Sequence, residues 1–185
     1  LSPSDRNGMA YARKGVDHYI LGGFKEDPSL SQGSSLNGYA HLDFWRYNAS
    51  SCWVQLSAPQ NFGYSGSAGN SLFEMNGSIY FYGANVYDNG SGEFKNLQTL
   101  QRYDDASDTW EQVRGDIHLI DGGDFANANL LSAKGPFGEY SGEVWPKNAG
   151  YAFAACSNGT TMYLYGGQRD FDNPEIYSGF YKFNG

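Results

Sequence analysis

An apolar run closed by a pair of small residues occurs three times in this chain: Tyr19-Ile20-Leu21-Gly22-Gly23, Tyr80-Phe81-Tyr82-Gly83-Ala84 and Tyr163-Leu164-Tyr165-Gly166-Gly167. Each copy leads through a polar stretch to an aromatic segment: Phe44-Trp45-Arg46-Tyr47, Leu100-Gln101-Arg102-Tyr103 and Phe180-Tyr181-Lys182-Phe183. A tryptophan follows in the first two, Trp53 and Trp110, whereas the third reaches Gly185 before any tryptophan. Self-similarity with a period of roughly 50 to 80 residues means a repeat architecture, in which each unit buries its apolar faces against its neighbours.

Within each unit the pattern reads as four short strands. The first unit has strands over 9–13, 18–23, 41–47 and 52–56, the second over 71–75, 78–83, 97–103 and 109–113. The third has 151–155, 161–166 and 178–183. Asn76-Gly77 is a type I′ hairpin signal, and Asp104-Asp105-Ala106-Ser107 is turn chemistry. Residues 114–149 break the period as an inserted loop, with a short helix expected over 126–133. Aromatics at 17% and 25 Gly fit strands and turns. The expected fold class is therefore all-β, built from small twisted antiparallel sheets stacked radially as a propeller. The units run over 9–56, 70–113 and 150–185, the last lacking its outermost strand.

As a set, these residues resemble the kelch repeat, in which an apolar strand ends in Gly-Gly and is followed by a Tyr and then, about six or seven positions on, a Trp. Gly22-Gly23, Tyr47 and Trp53 match, as do Gly83-Ala84, Tyr103 and Trp110, while Gly166-Gly167 with Phe183 matches in part. Ala84 and Phe183 are departures. The resemblance implies a kelch-type β-propeller, of which this chain supplies an incomplete ring. Two blade faces would then be exposed. The remainder is expected from a further segment of a longer polypeptide or from another subunit. The start at Leu1, without a methionine, reads as a processed product or an excised piece.

Turns after the first strand and between the third and fourth are short. The segments at 24–40, 85–96 and 168–177, and the links at 57–70 and 114–149, are long. In a four-stranded antiparallel unit both long classes fall at one end, and loops on a rigid scaffold carry binding. Lys25, Tyr87, Asp88, Arg169, Asp170 and Asp172 are the candidate contacts there, and exposed aromatics such as Tyr64, Tyr87 and Tyr177 would suit sugar stacking. Asn-x-Ser/Thr acceptor sequences stand at Asn48, Asn76, Asn89 and Asn158, against roughly two expected by chance. They point to a secreted, extracellular glycoprotein. For Asn76 and Asn158, Asn-Gly is also what a tight hairpin requires.

A net charge of −8 with 12 scattered Lys and Arg argues against nucleic acid. No run approaches the roughly 18 apolar residues of a membrane span. His18, His41 and His118 sit at unrelated positions, so no metal or other cofactor is expected, and no catalytic residue stands out. Residues 88–93 carry oxygen ligands but miss the calcium-loop spacing. Cys52 and Cys156 fall on an outermost and an innermost strand of different units, beyond disulfide reach in one ring. The leading expectation is a binding or assembly module for protein or carbohydrate. The alternative is part of a kelch-fold enzyme, a copper-radical oxidase or sugar isomerase, with its catalytic residues mostly outside this segment.

Overall fold

The computed structural model describes residues 1–26, 38–59, 67–68, 71–88, 93–121, 151–168 and 180–184. The first part holds β1 (Ala10–Lys14), β2 (Asp17–Leu21), β3 (Phe24–Glu26), β4 (Gly38–Ala40), β5 (Phe44–Asn48) and β6 (Cys52–Leu56). β7 (Ser67–Ala68), β8 (Ser71–Met75), β9 (Ser78–Asp88), β10 (Glu93–Asp104) and β11 (Thr109–Asp121) follow. β12 (Tyr151–Ser157), β13 (Thr161–Gln168) and β14 (Phe180–Asn184) complete the described strands. All described pairings between strands are antiparallel.

Three sheets carry the chain. The first has the order β1-β2-β5-β6, and the third β12-β13-β14. The middle one runs β11-β10-β9-β7, with β8 also on β9. β3 and β4 form a separate two-stranded hairpin.

The middle sheet shows why three sheets stack. Successive residues of a strand point to opposite faces. Leu72, Ile79, Phe81, Tyr103 and Trp110 therefore share one face, and they join Ala10, Ala12, Tyr19, Leu21 and Phe44 of the first sheet in one core. Phe73, Met75, Tyr80, Tyr82 and Leu100 take the opposite face and join Met162 and Leu164 of the third. Tyr103 and Trp110 are 3% and 5% exposed. Both rings meet Phe44 edge-on at 5.1 Å, the geometry aromatic quadrupoles prefer.

Tight turns join the inner strands. Asn76 and Gly77 both have positive φ, 51° and 73°, between the paired Met75 and Ser78, as a type I′ turn requires. Against this turn lies that of the third sheet: Asn76 N donates to Gly159 O at 2.7 Å, and Met75 bridges Gly159 in parallel.

The small-residue pairs mark where backbones crowd. Gly23 has φ +105°, and a Cβ there would stand 2.9 Å from the Asn7 carbonyl oxygen. The lead-in, residues 1–9, thus crosses directly over the Gly-Gly end of β2.

Two stretches read from sequence as loops differ in the structure. Most of 85–96 is strand, with Tyr87 opposite Phe94 and Asp88 opposite Glu93. The expected insertion at 114–149 begins as strand, since β11 runs on to Asp121 opposite Lys95. Gly and Asn had hidden these strands. The register shifts between Leu97 and Leu100 show why, because the bulges interrupt the alternation that marks a strand. The expected helix over 126–133 lies outside the described residues.

Gly23→Ala should destabilise the fold by about 1–3 kcal/mol, combining left-handed strain with the clash on Asn7. Gly77→Ala has positive φ but open space and should cost less. Equilibrium urea unfolding of both variants checks the order.

Candidate interaction faces

At the Gly-Gly end of the first sheet the lead-in is clamped by a buried ion pair. The Arg6 side chain is 3% exposed. It forks onto Asp43, with Nη2 donating to Oδ2 at 3.0 Å and Nη1 to Oδ1. Nη1 also donates to Gly22 O at 3.0 Å. Trp45 Nε1 donates to Asp43 Oδ2 at 2.6 Å. Burial alone would push the Asp43 carboxyl up, but the bonds from Arg6 and Trp45 outweigh it and hold it below the usual value. His41 stands beside the clamp, its Nε2 3.3 Å from the Ser4 hydroxyl. Burial, and then the Arg6 charge, lower its pKa, with Lys25 adding to the effect.

Lys25 lies in β3, opposite Tyr39. Tyr87 and Asp88 end β9 on a different sheet. Beyond Gly83 the middle sheet widens into a platform. Ser67 of β7 pairs Val86, Val86 pairs Lys95, and Lys95 pairs Asp121. Four strands therefore stand side by side at this end. Arg169, Asp170, Asp172 and Asn89, with Tyr64 and Tyr177, lie outside the described residues.

Around the β10–β11 turn of the middle sheet a latch ties the first two sheets. Asp105 accepts from Tyr19 Oη at 3.2 Å and pairs with Lys14. Asp108, at φ 52°, accepts from Ser57 N at 2.9 Å, from Ser57 Oγ at 3.1 Å and from Tyr103 Oη at 2.7 Å. Trp110 Nε1 donates to Ser57 O at 2.7 Å. Burial, then the Asp105 charge, pushes the Tyr19 phenol up to about 12. Burial and the bond to Asp108 raise Tyr103 as well.

Three acceptor asparagines stand at the short-turn end, opposite the Gly-Gly end. Asn48 Nδ2 donates to Asp17 Oδ1 at 2.6 Å, and its Oδ1 accepts from Ser50 N at 2.7 Å. Asn76 is exposed. Asn158, also exposed, accepts at Oδ1 from Thr160 N and Thr161 N at 3.1 and 2.9 Å. Cys52 (φ 58°) and Cys156 are exposed free thiols.

On the outer face of the first sheet, rings cross all four strands in a row. Tyr11 and His18 have centroids 6.0 Å apart, His18 and Tyr47 6.4 Å, and Tyr47 and Trp53 5.1 Å. Tyr11 Oη and His18 Nδ1 are 2.8 Å apart. His18 lies half-buried in this row. Among the described residues no group of three or more His, Cys, Asp and Glu gathers at metal distance.

Sequence reasoning gave no role to Arg6 or to its partner Asp43. A carboxylate directly before an aromatic strand, two residues from a Trp, was the available signal.

No protein-family model matches the chain, and no curated protein matches it. Among solved structures it resembles that of YjhT, with 17% identity and a TM-score of 0.56, over 97% of this chain. The chain spans about half of that structure, 49% of its length. The likeness shows the fold: an arc of a β-propeller, with antiparallel sheets as its blades.

The pH–stability profile should fall at both ends. The Tyr19 pKa is raised on folding, so its stabilisation is full below 10.0 and lost as pH rises from there through about 12. His41 is depressed, so its stabilisation is present above 6.5 and lost as pH falls through its folded value. Urea midpoints from acid to alkaline pH should show both slopes. Tyr19→Phe should reduce the alkaline slope, leaving the part that the raised Tyr103 phenol contributes.

Proposed function

We propose that this chain is part of an extracellular kelch-type propeller that binds protein or carbohydrate through its Gly-Gly end. The observation that supports this most directly is the platform of β7, β9, β10 and β11 beyond Gly83. Hydrogen-bonded strands order the backbone before a ligand arrives, so less ordering entropy is lost on binding. Tyr87 and Asp88 sit at the tip of this platform, and Lys25 on the hairpin beside the Arg6–Asp43 clamp. A stacking ring, carboxylate and ammonium suit the hydroxyls and flat faces of a saccharide, or the polar rim of a protein interface.

The test is a variant in which Asn-Gly joins Ala84 to Leu97, removing the ribbon tip. Binding on an array of neutral and acidic oligosaccharides, and to cell-surface protein extracts, should be lost while the unfolding midpoint holds. No binding by the parent chain, or equal binding by the trimmed one, would reject the reading.

Secretion is supported by the acceptor sequences, and their geometry ranks them. Passage through a eukaryotic secretory pathway should add glycan most fully at Asn76, which is exposed, and less fully at Asn158, whose amide nitrogen donates weakly to Tyr163 Oη at 3.4 Å. Asn48 should stay bare, because its amide nitrogen is held by Asp17. Peptide mass mapping reads the occupancy.

A further inference from the structure

We draw no further inference here: the strongest candidate, the surface patch of Tyr11, His18, Tyr47 and Trp53 on the outer face of the first sheet, is an unpartnered aromatic row, and nothing in the structure shows what covers it.

Discussion

The contact of Tyr103 and Trp110 with Phe44 is the interaction on which the arc depends. A four-stranded antiparallel sheet with apolar residues on both faces cannot solvate either of them cheaply. Here Phe44 stacks on Tyr19 at 5.7 Å and receives both rings of the next sheet edge-on. These rings are large enough to fill the wedge between two splayed sheets. Their polar tips then set the alignment: Tyr103 reaches Asp108, Tyr19 reaches Asp105, and the Trp110 indole reaches the Ser57 carbonyl. Packing brings the sheets together without direction, and the hydrogen bonds choose one register among several that packing would allow.

The Gly-Gly end is organised by a different constraint. The lead-in must pass over the end of β2 with no Cβ in its way, and its one buried cation must find a carboxylate. Gly23 meets the first need and Asp43 the second. Together they hold the base of the β3–β4 hairpin, while β10 carries bulges where the middle sheet extends into its platform. Fixed strands at the core and re-aimed strands at one end are an economical way to build a surface that can vary without disturbing the fold.

Much of the scaffold was legible because it is periodic. The small-residue pairs, the aromatic strands and the Asn76-Gly77 turn are each a local signal, and three copies made the repeat readable. The platform was not, because its strands run through Gly, Asn and bulges that erase alternation. The Arg6–Asp43 pair was hidden for another reason. It joins residues far apart in the chain, and neither has a neighbour pattern that announces burial.

The ties across the two inter-sheet seams are made of different materials. Between the first and middle sheets the ties are ionic and side-chain: Lys14 with Asp105, Ser57 with Asp108. Between the middle and third sheets a tie is backbone, from Asn76 N to Gly159 O. A half-exposed ion pair weakens as salt screens it, whereas an amide–carbonyl bond carries no net charge to screen. Ionic strength therefore weakens the Lys14–Asp105 tie and spares the Asn76–Gly159 bond, while the aromatic and aliphatic packing of both seams stays in place.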